Sequence, residues 1–405
     1  LVSIMDVPSV DFSKYNDRDV LVVNTDSRGV SPEKAFSLIS GLLKNYDRRI
    51  FPIIYKKIDS TLRGNIGYEI HAILNKTEGS ICFFAPSYPE QNRTLVSGIL
   101  MVNGKPLALT EVANDAASPV EESDVHKILE KQSLDHIGRV DLTFVASNHE
   151  LLQKAIDEER GKGIQIIIFD AVTRQDLTHI AEAAFEMERI PLLVGSAGLA
   201  EEVANMISPS KRERMTKGFE QRGHLFEHIF IISGSASSVT HRQLERIKET
   251  KIPVFQLNPS FILRNERKVQ TEERNLSLQI AHSLSKGPVV LKTFAEKIAS
   301  QDARDLPVHL KITKTLASLS RMVLEQSKID VDHLVLVLAG GDTAMSVLNI
   351  LRPEGIEIEG ELLEGIVSGH LVGGDWDGLT IVTKAGAFGK EDALIKIVKI
   401  LETGG

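Results

Sequence analysis

Apolar runs with few or no charged residues recur along this 405-residue chain, and most of them end in glycine or small polar residues. A run of this kind is typical of a strand buried on both faces of a parallel sheet. The first half contains predicted strands at residues 19–24, 51–55, 81–85, 142–146, 164–169 and 191–194. The second half contains predicted strands at residues 229–232, 254–257, 289–292, 334–339 and 379–383.

Stretches with helical periodicity separate these strands. They predict helices at 66–74, 149–159 and 176–187, and apolar residues at helical spacing also follow the strand at 334–339. Ser31 and Pro32 predict another helix start, because serine caps free N–H groups and proline fits the first helical position. Buried strands alternating with amphipathic helices predict an α/β fold with largely parallel sheets.

Residues 208–228 differ from the rest of the chain. The segment SPSKRERMTKGFEQRGHLFEH is dense in charged residues and lacks apolar periodicity. We interpret it as a linker between domains, with a solvated helix as the alternative. The pattern therefore predicts two α/β domains, at residues 1–210 and 211–405. Residues 356–372 mix alternating and continuous apolar positions, which indicates extra strands in the second domain.

Composition narrows the class of protein. The chain has 42% hydrophobic residues, 25% charged residues and a net charge of −8, as expected of an ordinary globular protein without a basic nucleic-acid surface. No apolar run approaches the roughly 20 residues that span a bilayer, and the start of the chain lacks a signal-peptide pattern. The single cysteine, Cys82, lies in an apolar run and is interpreted as a buried residue. We expect a cytoplasmic enzyme with no membrane or nucleic-acid partner.

Common nucleotide-binding and hydrolase signatures are absent. The sequence contains neither G-x-x-x-x-G-K-[ST] nor a G-x-G-x-x-G after a strand, which disfavours a P-loop enzyme and a nicotinamide dehydrogenase. It also lacks H-E-x-x-H and G-x-S-x-G. Candidate chemistry must therefore come from the turns that follow the buried strands.

The turns of the first half carry cations and short polar groups, namely Arg28, Lys57, Asp59, Ser60, Arg63 and Asn65. Arginine grips a carboxylate with two parallel hydrogen bonds, while Asp, Ser and Asn side chains bind hydroxyls. A lone charged loop residue such as Arg28 is more often simply solvated. The block KKIDSTLRGN is denser than that explanation predicts, and it favours a site for a small carboxylate with hydroxyls.

The second half supplies three turns rich in glycine or serine. They are SGSASS from Ser233, followed by a helix with Thr240, His241 and Arg242; GGDT at residues 340–343; and KAGAFG from Lys384 through Gly386 to Gly389. Free N–H groups at such turns bind phosphates, and Asp342 and Thr343 are predicted to cap a helix. Three turns at the ends of neighbouring strands favour a phosphate site. A fourth, Gly195 to Gly198, is interpreted as the start of a helix without a ligand.

The segments YKKIDSTLRGNIG, SGSASSVTHRQ, LAGGDTA and TKAGAFG, in this order, resemble the four-carbon acid sugar kinase family over nearly the whole chain. Members phosphorylate threonate, erythronate or 3-oxo-tetronate from ATP. The resemblance implies an N-terminal sugar-acid domain, a C-terminal ATP domain and an active site in the cleft between them. It assigns the sugar acid to Arg28, Lys57, Ile58, Asp59, Ser60 and Arg63. It assigns the nucleotide to Ser233, Gly340, Gly341, Asp342, Thr343, Gly386 and Gly389.

The resemblance departs at one point, since the family usually opens with a strand and an Asp-Asp-x-Thr-Gly-Ala turn that have no counterpart from Leu1 onward. We expect transfer of the ATP γ-phosphoryl group to the terminal hydroxyl of a tetronate, most simply D-threonate. Mg²⁺, Lys57 and Arg63 would neutralise charge. Asp59 would hold a substrate hydroxyl or act as a base, and the metal ligands stay open. Alternatives are a 3-oxo-tetronate or D-erythronate kinase, or a non-catalytic sugar-acid or nucleotide-binding protein. A homodimer is possible.

Overall fold

The chain forms two compact units in a computed structural model that describes residues 2–4, 10–77, 80–114, 119–133, 135–207, 225–234, 237–257, 266–293, 308–386 and 388–403. One unit contains Val7–Asp17 and Asn24–Ser210. The other contains Leu1–Asp6, Arg18–Val23 and Lys211–Gly405.

The strands, in chain order, are β1 (Val2–Ile4), β2 (Leu21–Val23), β3 (Tyr55–Lys57), β4 (Cys82–Ala85), β5 (Arg93–Val96), β6 (Ile99–Val102), β7 (Lys105–Pro106), β8 (Ile137–Val140), β9 (Ile166–Phe169), β10 (Leu192–Gly195), β11 (His228–Ser233), β12 (Val254–Gln256), β13 (Val289–Lys292), β14 (Leu334–Ala339), β15 (Gly355–Leu363), β16 (Ile366–Val372) and β17 (Thr380–Lys384).

The helices are α1 (Pro32–Leu42), α2 (Ile66–Lys76), α3 (Val125–Glu130), α4 (Leu142–Val145), α5 (His149–Gly161), α6 (Arg174–Phe185), α7 (Ala197–Ile207), α8 (Ser238–Ile247), α9 (Glu266–Leu284), α10 (Val308–Ser327), α11 (Gly341–Leu351) and α12 (Ala393–Thr403). None of these described helices combines the length and the hydropathy that a membrane-spanning segment requires.

The unit of residues 24–210 is built on a parallel five-stranded sheet with the order β3-β10-β4-β9-β8. Phe84 on β4 packs with residues of α2 and α3, and its neighbour Phe83 packs with residues of α5, α6 and α7. Both faces of the sheet are therefore covered, which explains why its strands appear as unbroken apolar runs. Cys82 is fully buried as predicted, and burial raises the pKa of its thiol.

The other unit contains a nine-stranded mixed sheet with the order β12-β13-β11-β14-β17-β16-β15-β1-β2. The first five strands in this order are parallel, namely β12, β13, β11, β14 and β17. Strand β16 is antiparallel to both β17 and β15. Side chains of α9, α10 and α11 pack on one face, and those of α8 and α12 pack on the other. Both units confirm the predicted α/β class.

Several element predictions are confirmed. Ser31 caps α1 with Pro32 at the first helical position, and residues 356–372 form the antiparallel pair β15 and β16. The predicted strand at 19–24 corresponds to β2, which lies in the nine-stranded sheet. The predicted linker at 208–228 lies outside the described residues up to position 224, and His228 already begins β11.

Two strand predictions are corrected. Residues 142–146 were predicted as a strand, but Leu142–Val145 is helical and the strand is Ile137–Val140. A five-residue apolar run carries too little periodicity to separate the two, and Asp141 occupies the N-cap position. The strand predicted at 51–55 begins only at Tyr55, because Pro52 has no N–H for a sheet ladder.

Candidate active site

A turn after β3 lies at the carboxyl end of the five-stranded sheet. Strand β3 ends at Lys57, and the N–H of Ile58 donates a hydrogen bond to the carbonyl of Gly195 at the end of the neighbouring β10 (2.9 Å). The side chain of Ile58 is buried in the core, and Ser60 is half-buried on the same turn. Ile58 therefore fixes the path of the turn through its backbone rather than offering a side chain to a ligand.

The carboxylate of Asp59 is the centre of this turn. It accepts hydrogen bonds from Thr61 Oγ1 (2.5 Å) and from Arg63 Nε (2.7 Å) and Nη2 (3.3 Å), and Arg28 Nη2 lies 3.9 Å away. Burial opposes ionisation of Asp59, but the hydrogen bonds and the two arginine charges outweigh it and lower the pKa of this carboxyl. Asp59 is therefore ionised at neutral pH and holds both arginines beside it.

The Asp59 cluster, defined as Arg28, Lys57, Asp59 and Arg63, carries excess positive charge. Three cations accompany a single carboxylate, and 53% of the Arg28 side chain is exposed. Lys57 Nζ donates to the carbonyl of Ile58 (2.8 Å), and burial lowers the pKa of Lys57. Guanidinium groups bind carboxylates in pairs of parallel hydrogen bonds. The structure thus brings four predicted residues together in an arrangement suited to a small organic anion.

Asn65, the N-cap of α2, and Glu69 within α2 hold the turn that carries Arg28. Asn65 Nδ2 donates to the carbonyls of Ser27 and Val30, at 2.9 Å each. Glu69 is buried, accepts a hydrogen bond from Ser27 Oγ and forms an ion pair with Lys56 (2.5 Å). These contacts fix the turn at 27–30 against the segment that contains Asp59.

Sequence reasoning missed Glu69, although a signal was present. Ile66, Ile70 and Ile73 mark the buried face of α2, and Glu69 lies on that face, one turn after Ile66. A carboxylate at a core position of an amphipathic helix is uncommon unless it is paired. A carboxylate at a position where the helical pattern predicts an apolar residue therefore indicates a polar network beneath the turns.

Gly64 is a further part of this arrangement, and replacing it with alanine is expected to cost stability and affinity for the predicted sugar acid together. Its φ is +102°, and an added Cβ would lie 3.2 Å from Arg28 Cγ and 3.3 Å from Arg28 Cα. The left-handed conformation costs a non-glycine residue about 1–2 kcal/mol, and the contact would displace Arg28. Urea unfolding and the KM for the predicted sugar acid measure the two effects.

Gly163→Ala is the matched control for Gly64→Ala, because Gly163 has φ +78° and nothing within 4 Å of an added Cβ. It should lose similar stability and leave the KM unchanged. An unchanged KM in Gly64→Ala would contradict the proposed role of the Arg28 contact.

The turn at 195–198, interpreted from sequence as the start of a helix without a ligand, has packing reasons for its glycines. An added Cβ on Gly195 would lie 2.7 Å from the carbonyl oxygen of Ala85, and one on Gly198 would lie 2.8 Å from that of Ser87. Ser196 Oγ also donates to the Ser87 carbonyl (2.9 Å). Close approach of neighbouring backbone is enough to explain this turn.

In the other unit, the three predicted phosphate turns follow adjacent strands. Strand β14 lies between β11 and β17, and Ala339 is in register with Ser233 on one side and with Lys384 on the other. Ser233, Gly340 and Gly386 therefore lie at or just beyond the carboxyl ends of neighbouring parallel strands, where ligands of open α/β sheets bind.

The start of α11 differs from the prediction. Asp342 and Thr343 were predicted to cap the helix, but the N-cap residue is Gly340, with φ +110°, and the helix begins at Gly341. Thr343 is buried, and its Oγ1 accepts a hydrogen bond from the N–H of Gly234 (3.1 Å). The threonine thus links two of the turns, while Asp342 is exposed in the first turn of the helix.

Helix α8 holds the third turn. Thr240 Oγ1 donates to the carbonyl of Gly386 (2.8 Å). Gln243 Nε2 is within hydrogen-bond distance of the carbonyls of Phe388 (3.1 Å), Gly389 (3.1 Å) and Lys390 (2.9 Å). Gly389 has φ +84°, and an added Cβ would lie 2.8 Å from Ala393. The backbone conformation of Gly389 is therefore enough to explain why a glycine occurs there. Gly386 lies nearer the end of the strand.

The described residues contain no group of three or more His, Cys, Asp or Glu side chains that could hold a metal ion. The sequence left the metal ligands open, and the geometry offers no preformed protein cage in these ranges. Magnesium usually keeps several waters and binds one or two carboxylates together with substrate phosphates. The exposed carboxylate of Asp342, beside the glycine turn, fits that mode of binding.

Comparison with protein families assigns a role to each half. Residues 2–203 match the family model of a sugar-binding N-terminal domain, and residues 230–394 match that of a nucleotide-binding C-terminal domain. The Asp59 cluster falls within the first match, and the turns at Ser233, Gly340 and Gly386 fall within the second.

Full-length relatives are sugar-acid kinases. A D-threonate kinase of Salmonella typhimurium is 30% identical over 397 residues, which covers 95% of this chain and 89% of the relative. A D-erythronate kinase of Heliobacterium modesticaldum is 27% identical over 410 residues, covering 98% and 91%. A 3-oxo-tetronate kinase of Pseudomonas savastanoi is 24% identical over 399 residues, covering 98% and 90%.

Solved structures share the fold. A Haemophilus influenzae protein superposes with a TM-score of 0.76 at 22% identity, covering 99% of this chain and 94% of that one. A Salmonella typhimurium protein gives 0.79 at 19% identity, covering 98% and 92%. The sugar-binding and nucleotide-binding domains, together with relatives that are sugar-acid kinases over nearly the full length, define the chain as a sugar-acid kinase. The chain belongs to the four-carbon acid sugar kinase family, and it is an ATP-dependent phosphotransferase that acts on a sugar acid.

Proposed function

We propose that this chain phosphorylates the 4-hydroxyl of D-threonate. Residues 1–210 supply the sugar-acid-binding domain and residues 211–405 the nucleotide-binding domain, with β1 and β2 joining the sheet of the latter. The assignment of D-threonate is supported by the relative of that activity at 30% identity over 397 residues. The proposed acceptor site is supported by the arrangement of charges in the Asp59 cluster.

The charge of the Asp59 cluster indicates which hydroxyl of the sugar acid receives the phosphoryl group. If Arg28 and Arg63 bind the carboxylate, the primary hydroxyl at the other end of a four-carbon chain is the group that extends away from them. Lys57 and Ser60 lie on the same turn and would bind the intervening hydroxyls. Transfer then forms a bond from the 4-oxygen to the γ-phosphorus and breaks the bond to the β–γ bridging oxygen. ADP leaves with the bridging oxygen, and the hydroxyl proton passes by way of a phosphoryl oxygen to solvent water.

Asp59 is proposed as the residue that positions the two arginines, rather than as the base. A general base works best with a pKa near the working pH, whereas hydrogen bonds from Arg63 and Thr61 lower the pKa of Asp59 against the effect of burial. Phosphoryl transfer depends mainly on positioning and charge neutralisation. Lys57 is proposed to supply that charge toward the hydroxyl end of the acceptor, while Arg28 and Arg63 neutralise its carboxylate at the other end.

On the donor side, the N–H groups at the start of α11 and the turns at Ser233 and Gly386 are proposed to bind the phosphates of ATP. The residues present fit a magnesium ion that arrives with the nucleotide, since Asp342 is the exposed carboxylate of this turn. Bound there, the ion would neutralise phosphate charge.

The test is ATP consumption by the chain with D-threonate, D-erythronate and 3-oxo-tetronate as acceptors. We expect the highest kcat/KM with D-threonate, and a product that phosphorus–proton NMR coupling identifies as the 4-phosphate. A higher kcat/KM with either of the other acids would replace the substrate assignment. A phosphate on another carbon would contradict the orientation given to the acceptor.

A further inference from the structure

One row of the nine-stranded sheet places two buried lysines at the carboxyl ends of its strands. In register, Lys292 on β13 is the partner of Ser233 on β11, Ser233 is the partner of Ala339 on β14, and Ala339 is the partner of Lys384 on β17. Partners in parallel strands point to the same face. Lys292 and Lys384 are each only 2% exposed.

The two lysines differ in their partners. Lys292 Nζ lies 3.7 Å from Glu245 Oε1, so it has a counter-charge on α8. Lys384 Nζ donates to Thr240 Oγ1 (3.3 Å) and to the carbonyl of Ala385 (3.0 Å), which are both neutral. Within the ranges that the structure describes, no carboxylate lies in ion-pair distance of Lys384. A buried ammonium without a counter-charge is costly, and burial alone lowers the pKa of Lys384 to about 8.

A second polar group of this row, the hydroxyl of Ser233, has unused hydrogen-bonding capacity. Ser233 is fully buried, and its Oγ has no hydrogen-bond partner among the described residues. Ala339, which separates Ser233 from Lys384 in the row, directly precedes the N-cap of α11. The first N–H groups of a helix have no acceptor within the helix. A cation, a hydroxyl and helix N–H groups with unused hydrogen-bonding capacity thus lie at the carboxyl ends of three neighbouring strands.

These groups are complementary to a phosphate. An ammonium has three donors, and the contacts of Lys384 use two of them. Lysine binds phosphates as a point charge, and a phosphate would supply the negative charge that Lys384 lacks in the described structure. Thr240, which contacts both Lys384 and Gly386, would hold the ammonium and the third turn in a fixed relation.

We propose that Lys384 binds the phosphates of the nucleotide and supplies a counter-charge to them. The proposal rests on the proposed nucleotide site and adds to it a residue outside the set that the family resemblance assigns to the nucleotide. It does not depend on which sugar acid is the acceptor.

The test compares Lys384→Met with Lys292→Met, in the full chain, by calorimetric titration with ATP, ADP and adenosine. Methionine keeps the length of the side chain and removes its charge. Lys384→Met is expected to weaken ATP binding by at least about 30-fold and to leave adenosine binding unchanged, with ADP between them. Lys292→Met, which removes an equally buried lysine from the same row, should bind all three like the wild type. Lys384→Arg should retain most of the ATP affinity, because it keeps the charge.

Equal weakening of ATP and adenosine would show a structural role and overturn the proposal. So would wild-type ATP affinity in Lys384→Met, or failure of both Lys384→Met and Lys384→Gln to fold, since the ammonium would then serve the fold. Because the titration contains no sugar acid, a wrong acceptor assignment leaves its result intact. Absence of ATP binding by the wild type would instead reject the nucleotide site as a whole.

Discussion

Replacing Gly341 with alanine is expected to weaken ATP binding by about 10- to 100-fold, or roughly 1.4–2.8 kcal/mol, without destabilising the protein. Gly341 is the first residue of α11, and an added Cβ would meet nothing within 4 Å. The fold alone does not require glycine there, and alanine is the better helix former by about 1 kcal/mol. If phosphates approach the helix start, the methyl group occupies their space. Calorimetric titration and thermal unfolding measure the two effects separately.

Gly41→Ala is the matched control for Gly341→Ala. Gly41 lies within α1, and an added Cβ there also meets nothing within 4 Å. This variant should show the same neutral or positive change in stability with unaltered ATP affinity. Wild-type ATP affinity in Gly341→Ala would show that the phosphates do not approach the start of α11.

Replacing Arg63 with glutamine is expected to lower kcat/KM for the sugar acid by roughly 30- to 5,000-fold, which corresponds to the 2–5 kcal/mol lost on breaking a hydrogen-bonded charge pair. Arg63 makes two contacts to Asp59, at 2.7 and 3.3 Å. Its loss removes one cation from the acceptor site and releases the carboxylate that also holds Arg28. Steady-state kinetics with the sugar acid varied at saturating ATP measure the change.

Arg49→Gln is the control for Arg63→Gln. Arg49 is also paired with an aspartate, at 2.6 Å from Asp47, but its side chain is 91% exposed. Its removal should leave the kinetics unchanged, because an exposed pair contributes little. In a second series with ATP varied at saturating sugar acid, an effect of Arg63→Gln confined to the KM for ATP would contradict its assignment to the acceptor.

The features predicted from sequence are those that adjacent residues encode. Unbroken apolar runs marked the parallel strands because both faces of these sheets are covered, as Phe83 and Phe84 show. The turns containing Asp59 and Gly340 stood out because cations or glycines are concentrated directly after such runs. Parallel strands bring their carboxyl ends to one edge, so the approximate grouping of the turns at Ser233, Gly340 and Gly386 could be predicted as well.

Features that depend on partners distant in sequence could not be predicted in this way. Thr343 appeared to be a helix cap, but its hydroxyl binds the N–H of Gly234, which lies 109 residues away. Lys384 is a charged residue at the end of a strand, as many exposed residues are. Its burial follows from the packing of Thr240 against it, which the sequence does not show. The position of β2 in the sheet of the other unit depends on β1 and β15, whose pairing no local pattern encodes.

The edge of the nine-stranded sheet that β1 and β2 form also affects folding of the chain during its synthesis. Strand β1 pairs with β15, whose first residue is Gly355, so the partner is synthesised long after β1 and β2. At about 5–20 residues per second, a ribosome needs roughly 20–70 s to reach that partner. During this interval two apolar segments have no native sheet to join, and such unpaired strands are prone to aggregation. Attempts to express residues 211–405 alone would also remove these strands and expose β15 as a new edge, so a fragment of this unit needs both strands fused to it.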